Sequence, residues 1–366
     1  MPARPFQTNA TDPTLFPFRH WARLLNRIWR NPRPELVTKI DPFGWPDLRA
    51  ATARHLGEWR GMVCHGEQII ITSGAADAIQ LIARSSFAPG DSLYLEEPGF
   101  PALLQEVRRA GLVACPVLVD ADGFDPDRAF ARRAARGAIV TPSRQFPLGA
   151  TLPLRRRLQL LEWATSVGAY VIEDDFDSEY RYEGSPLPAL RSLDRHGCTI
   201  YMGSFSKVLW PTLRLGFIVS PERLIGAFRR HVTQRGLIAS VVAQPVLAEF
   251  IAEGAYATHI RRTRRIYARR LAALRGQSER LRGLLELSPT ASGMHVIADL
   301  APKLAQCMSD RDVAKLVDQA DVTVLPLADY CAGRPNRCAL LLGFAAFSEQ
   351  ATETAIERLA SALARR

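Results

Sequence analysis

Residues 201–216 read YMGSFSKVLWPTLRLG and place Lys207 among serines and apolar residues. Lysine is rare in this chain: within its 47 basic side chains, the lysines are Lys39, Lys207, Lys303 and Lys315. An amine in a half-buried setting can lose its proton and become a nucleophile, which a guanidinium cannot do. The stretch therefore predicts a reactive lysine, and the alternative is a surface lysine at the end of a strand.

The residues around Lys207 suit a phosphate group. Ser204 and Ser206 supply hydroxyls, and Arg214 supplies a guanidinium that can bind two phosphate oxygens at once. An amine beside such a cradle predicts pyridoxal phosphate (PLP), held on Lys207 as a Schiff base.

The length and charge of the chain limit its function. A chain of 366 residues is too long for one simple core and predicts about two domains. A net charge of +10 permits anionic ligands or nucleic acid, but the densest run of arginines, at 261–265, has the helical spacing of a solvated face. Since no recognition helix or RNA-binding motif is visible, we expect no direct binding to nucleic acid.

The cysteines and the hydropathy pattern bear on the compartment. The six cysteines form no CxxC pair and no His/Cys cluster with zinc spacing, so we expect reduced thiols and no metal site. The chain has no long apolar stretch and no apolar signal region behind Met1. We therefore expect a cytoplasmic protein without a transmembrane helix.

The order of strand and helix patterns predicts the fold. The patterns alternate up to Val219, which predicts an α/β fold with a mostly parallel, buried sheet. Helices and short strands follow and indicate a smaller α+β domain. The predicted divisions are an N-terminal arm and helix (1–40), a large PLP-binding domain (41–254), and a connecting helix with a small C-terminal domain (255–366). Other predicted elements are helices at 125–136, 238–251 and about 255–285 and a strand at 213–219.

Three predicted strands end at candidate site residues. Residues 73–77 form a small-residue turn before a helix, whose free N–H groups can bind phosphate, although many strand-to-helix turns have this composition. Phe100 lies in a loop where it can stack on a flat ring or pack on its own domain. Asp174 ends a strand 33 residues before Lys207. A carboxylate there is costly to bury without a cationic partner, or it belongs to an acidic loop in solvent.

Taken in order, these features resemble fold-type-I PLP-dependent enzymes, the aspartate aminotransferase superfamily. Within it, the sequence is most similar to the aminotransferase-like domain of MocR-type regulators. The resemblance covers nearly the whole chain, and its matching segments are 41–44 with 48–49, 97–100, 141–149, 173–180, 188–190 with 192–194, and 201–207.

The resemblance implies a role for each matching position. Lys207 and Asp174 would be catalytic: Lys207 would carry PLP, and Asp174 would keep the pyridine nitrogen protonated. Phe100 would stack on the ring, Gln145 would stand near the ring hydroxyl, and Phe176 would lie beside the same hydroxyl. The phosphate would be bound by the backbone N–H groups of Gly74, Ala75 and Ala76 together with Ser204, Ser206 and Arg214.

The resemblance also implies a function and partners. The leading hypothesis is a PLP-binding aminotransferase-type protein, a homodimer, that acts on an amino acid or amine and a keto acid. The alternative hypothesis is a sensor domain that binds PLP and an amino compound without sustained turnover. MocR-type regulators carry a winged-helix DNA-binding domain before this region. We expect none in this chain, because Met1 begins only a few residues before the matching part.

The chain departs from the family pattern at three places. Phe176 stands where relatives have a tyrosine, and a phenyl ring cannot donate a hydrogen bond to the ring hydroxyl. Arg144 stands where relatives have a histidine. The strand at 340–344 has no arginine in register to bind a substrate carboxylate, although Arg337 is near in sequence. Phe176 and the missing arginine favour the sensor, and the absence of a DNA-binding domain favours the enzyme.

Overall fold

The computed structural model describes residues 4–38, 41–131, 134–184, 187–236, 239–333 and 337–364. Within these residues, seven strands form the larger sheet: β1 (Ile69–Thr72), β2 (Ser92–Glu97), β3 (Val113–Leu118), β4 (Gly137–Val140), β5 (Tyr170–Asp175), β6 (Thr199–Ser204) and β7 (Gly216–Val219). Their order is β1-β7-β6-β5-β4-β2-β3. Neighbours from β6 to β3 are parallel, whereas β7 is antiparallel to both β1 and β6. The predicted mostly parallel α/β sheet is confirmed.

Several strands of the larger sheet are buried along their whole length because helices cover both of its faces. The strands β1, β4 and β7 are buried at every position, as expected for strands without a solvent face. The helices that accompany this sheet are α1 (Phe18–Arg30), α2 (Pro34–Thr38), α3 (Pro46–Arg60), α4 (Ala75–Ser86), α5 (Pro101–Arg109), α6 (Pro126–Phe130), α7 (Leu154–Val167), α8 (Leu190–Leu193), α9 (Ile225–Arg235) and α10 (Gln244–Ala252).

A second, antiparallel sheet follows the long helix α11 (Ala255–Gly276). Its strands in the described residues are β8 (Leu285–Leu287), β9 (His295–Leu300), β10 (Leu325–Pro326) and β11 (Ala339–Gly343), in the order β10-β11-β9-β8. The helices beside it are α12 (Pro302–Cys307), α13 (Asp310–Asp318) and α14 (Glu349–Ala364). The smaller α+β part is thus confirmed, while the boundaries at 41 and 255 stay predictions.

Several predicted elements are shorter in the structure. The helix predicted at 125–136 ends at Phe130, and residues 132–133 lie outside the described part of the chain. The helix predicted at 238–251 begins at Gln244, with a proline in its first turn, and residue 238 is also outside the described part. The helical run predicted to 285 stops at Gly276, a poor helix former.

The strand predicted from residue 213 begins only at Gly216. A short 3₁₀ turn, Pro211–Leu213, precedes it, and Arg214 has a left-handed backbone with φ of 52°. This conformation cannot continue into a strand, and it turns the chain between Lys207 and β7.

The N-terminal arm, predicted to be irregular, contacts both the smaller sheet and the segment that follows Lys207. Phe6 forms a β-bridge with Gly343 of β11, whose N–H donates to the Phe6 carbonyl at 2.8 Å. Farther along, the Thr11 hydroxyl donates to the carbonyl of Leu209 at 3.4 Å. The arm therefore touches the smaller sheet at one end and the segment after Lys207 at the other. In the described parts of the chain, no helix is long and apolar enough to cross a lipid bilayer.

Candidate active site

A cavity of about 320 Å³ lies at the carboxyl ends of β5 and β6. Parallel neighbouring strands end at the same edge of a sheet, so residues from both strands and from the segments that follow meet there. The predicted site residues that line this cavity are Gly74, Ala75, Ala76, Phe100, Asp174, Phe176, Ser204, Ser206, Lys207 and Arg214.

Gln145 is the predicted site residue that does not line the cavity. Its side chain is buried, and its amide nitrogen donates to the carbonyl oxygens of Pro98 (2.9 Å) and Phe146 (2.6 Å). It also reaches Glu96 Oε2 at 3.3 Å. Gln145 therefore stabilises the loop behind the wall, while its neighbour Phe146 lines the cavity. Its contact with a ring hydroxyl stays a prediction.

One end of the cavity is suited to an anion. The helix α4 begins there, and Gly74 before it has φ of 113°, which a glycine adopts without strain. Its small neighbours leave the first N–H groups of the helix accessible. A Cβ at position 74 would lie 3.7 Å from the Arg214 guanidinium, so both features border the same space. Among the described residues, Arg214 has no carboxylate partner.

Asp174 supplies an unpaired carboxyl to this cavity. The residue is only 9% exposed, and its side chain has no hydrogen-bond or ion-pair partner among the described residues. Burial raises its pKa to about 7, the charges of Asp175 and Glu96 add to the shift, and Lys207 opposes it. A buried carboxyl is costly to ionise alone, so this one is suited to a ligand that brings a cation.

Lys207 is half-buried in the same cavity. Burial lowers the pKa of its amine, and the nearby Asp177 and Asp174 carboxylates oppose that shift. The Nζ donates a hydrogen bond of 2.5 Å to Oδ1 of Asn9, which belongs to the N-terminal arm and also lines the cavity. Sequence reasoning missed Asn9. The one available signal was that asparagine tolerates the left-handed backbone observed here, with φ of 59°.

Comparison with known proteins decides the family. The sequence matches the aminotransferase class I and II family over residues 9–359. The chain belongs to this family. It is 36% identical over 348 residues to the probable rhizopine catabolism regulatory protein MocR of Rhizobium meliloti, covering 95% of this chain and 70% of the relative. It is 32% identical over 340 residues to the pyridoxine biosynthesis regulator PdxR of Corynebacterium glutamicum, covering 92% and 72%.

Solved aminotransferases share the fold. An archaeal alanine:glyoxylate aminotransferase superposes with a TM-score of 0.90 at 23% identity, covering 100% of this chain and 92% of that one. The α-aminoadipate aminotransferase LysN of Thermus thermophilus gives 0.87 at 26% identity, covering 98% and 92%. The predicted fold-type-I transferase architecture and the resemblance to MocR-type proteins are confirmed.

One side of the cavity is apolar. Phe146 packs edge-on against both Phe100 and Phe176, with ring centroids 5.8 Å and 5.4 Å apart. Behind them, Leu341 of β11 is fully buried against Phe146 and Ile297. β11 thus contributes an apolar side chain behind these rings, in agreement with the lack of an arginine in register that the sequence predicts.

Two arginines that are close to this part of the fold, Arg144 and Arg337, have partners outside the cavity. Arg144 is buried and pairs with Asp177 at 3.3 Å, and it donates to the carbonyl of His295 at 3.0 Å. Arg337 forms an ion pair with Asp299 of β9 at 2.6 Å. Both guanidiniums are engaged in joining parts of the fold, and neither lines the cavity.

Proposed function

We propose that this chain binds PLP through Lys207 and transfers an amino group between an amino acid or amine and a keto acid. The observation that carries the proposal is the Asp174 carboxyl, which lines the same cavity as Lys207 and has no partner in the described part of the chain. Membership of the aminotransferase class I and II family supports it. The structure of LysN, described as a complex with N-(5'-phosphopyridoxyl)-L-leucine, also supports it.

The residues of the cavity fit this cofactor. A volume of about 320 Å³ is in the range of small-molecule sites. Arg214, Ser204 and Ser206 stand with the start of α4 at one end, where a phosphate has both charge and hydrogen-bond donors. Asp174 offers an acceptor to a protonated ring nitrogen, and Phe100 offers a flat face.

The side chains of the cavity would have separate roles in the reaction. PLP supplies an electron sink that makes the hydrogen on the carbon next to the substrate nitrogen acidic. Lys207, freed by the incoming amine, would take that proton on its Nζ and deliver it to the cofactor rather than back to the same carbon, and its lowered pKa makes the neutral amine accessible. Asp174 would keep the ring nitrogen protonated, and the apolar rings of Phe100 and Phe176 would form part of the cavity wall beside the cofactor.

A second candidate function is a sensor that binds PLP and an amino compound without sustained turnover. Its support is the 36% identity to a protein described as a regulator and the phenyl ring of Phe176, which offers no hydroxyl to the cofactor. Measured production of keto acid from a panel of amino acids and amines separates the two functions. Sustained turnover excludes a pure sensor.

We also propose that the protein is a cytoplasmic homodimer. All six thiols are free, as expected in a reducing compartment. Family members are typically dimers, and light scattering of the purified chain tests this directly.

The first experiment is an absorption spectrum of the purified chain with added PLP. The unaltered chain is expected to show the visible band of lysine-bound PLP, and Lys207→Ala is expected to lose it. Lys303→Ala, at an exposed position on α12, is the matched control and should keep the band. No band in the unaltered chain, or the same band after Lys207→Ala, would contradict the proposal.

A further inference from the structure

We propose that Asn9 is a positioning residue, whose side-chain carbonyl orients the amine of Lys207 for its chemistry. The inference rests on the proposed function of Lys207. Its basis is the hydrogen bond of 2.5 Å from Lys207 Nζ to Asn9 Oδ1, made inside the cavity that both residues line. The contact joins residues 198 positions apart in the chain.

The arm holds Asn9 in place from both sides. On one side, the Phe6 bridge to Gly343 is tight enough that a Cβ at position 343 would lie 2.3 Å from the Gln7 carbonyl oxygen. On the other side, Thr11 donates to the carbonyl of Leu209, two residues beyond Lys207. The position of the amide is thus set by anchors on either side of it, and the side chain is available to act on the amine.

The backbone at Asn9 also points to a role for its side chain. Its φ of 59° lies in the left-handed region, where glycine fits with the least strain. Among the described residues, the hydrogen bond of the Asn9 side chain is the one to Lys207. If position 9 served only to turn the chain, glycine would do so at lower cost. Asparagine tolerates this backbone and, unlike glycine, also brings a side-chain carbonyl to the amine.

A neutral carbonyl is suited to this task. It accepts one N–H from the amine in either protonation state, and so it fixes the direction of the nitrogen lone pair. It adds no negative charge, whereas a carboxylate at the same place would keep the amine protonated. The charged and titratable groups that face Lys207 are Asp174, Asp177, Arg214 and the buried His295.

The test measures Lys207 in the cofactor-free full-length chain. Acetylation of Lys207 by acetic anhydride is followed by mass spectrometry from neutral to alkaline pH, which reports the pKa of this amine. Asn9→Asp is expected to raise that pKa by about one unit and to slow labelling at neutral pH about tenfold. Asn9→Gly keeps the left-handed backbone while removing the amide, and it is expected to lower the pKa and alter the labelling rate.

Arg4→Ala is the matched control. It removes the ion pair between Arg4, at the start of the arm, and Asp318, and neither residue lines the cavity. It should leave the titration of Lys207 unchanged. If Asn9→Asp and Asn9→Gly also titrate like the unaltered chain, Asn9 does not position the amine. This labelling needs no PLP, so it is independent of the absorption spectrum that tests the proposed function. In the loaded protein, Asn9→Gly is expected to keep the visible band and to lower kcat more than it changes KM.

Discussion

Asp174 and Asp175 are neighbours on β5, yet their surroundings differ completely. Successive residues of a strand face opposite sides of the sheet, so the two carboxyls enter different cavities. Asp175 forms an ion pair with the Arg60 guanidinium at 2.8 Å and accepts a hydrogen bond from the Tyr201 hydroxyl at 2.7 Å. Asp174 has no such partner among the described residues.

The difference separates a carboxylate that is paired within the fold from one that we propose to contact the cofactor. Arg60 also donates to the carbonyl of Leu187 and to the hydroxyl of Ser143, both at 2.6 Å, so Asp175 belongs to a network that joins α3 to the loops beside β5. Such a network satisfies its own charges and needs no ligand. Asp174 is the opposite case: its carboxyl has no partner among the described residues, and burial raises its pKa.

The largest expected effect comes from breaking the paired carboxylate. Asp175→Asn leaves the buried Arg60 charge without its partner, and removing one member of a buried ion pair typically costs about 3–5 kcal/mol. Urea denaturation at neutral pH measures this loss. Glu183→Gln breaks an exposed pair with Arg275 and should cost under about 1 kcal/mol. If both variants unfold alike, the network does not stabilise the fold.

A change of opposite sign is expected at Asp174. Because its folded pKa of about 7 is above the ordinary 3.8, the stability of the cofactor-free chain falls as pH rises through this range. Asp174→Asn removes the ionisation and should stabilise the chain on the order of 2–4 kcal/mol at pH 8, and by less than half of that at pH 5. Thermal unfolding at the two pH values measures the gain.

The same substitution should weaken PLP binding, because an amide does not hold the ring nitrogen protonated. A titration of Asp174→Asn with PLP measures this loss. A variant that is stabilised but binds PLP poorly is the expected trade of stability for function. If Asp174→Asn instead destabilises the chain at pH 8, then Asp174 stabilises the fold as Asp175 does.

Much of this contrast could be predicted from the sequence. The alternation of strands and helices placed Asp174 and Lys207 at the same edge of the sheet, since parallel strands end together. The small residues at 73–77 predicted a helix start that borders the cavity, and it does. Local patterns succeed here because each of these residues lies at, or a few positions beyond, the carboxyl end of a strand.

The rest depends on contacts between distant segments. Asn9 contacts Lys207 in a fold where the arm is held against β11 by the bridge from Phe6 to Gly343. No periodicity in the first residues of the sequence predicts this contact. Gln145 turns away from the cavity because the carbonyls of Pro98 and Phe146 accept from its amide. A side chain's direction in a loop is decided by such partners, which a linear pattern does not contain.

The smallest expected effect concerns Phe176, which lines the cavity on the Asp174 side of the sheet. Phe176→Tyr adds a hydroxyl that can donate to the cofactor's ring oxygen, and this favours the deprotonated form of lysine-bound PLP. A pH titration of the visible band should show its pKa lowered by about one unit. Tyr330→Phe removes a hydroxyl from a ring that packs on Phe146 outside this cavity, and should leave the titration unchanged. If Phe176→Tyr also leaves it unchanged, the ring oxygen lies out of reach of position 176, and the missing hydroxyl no longer favours a sensor.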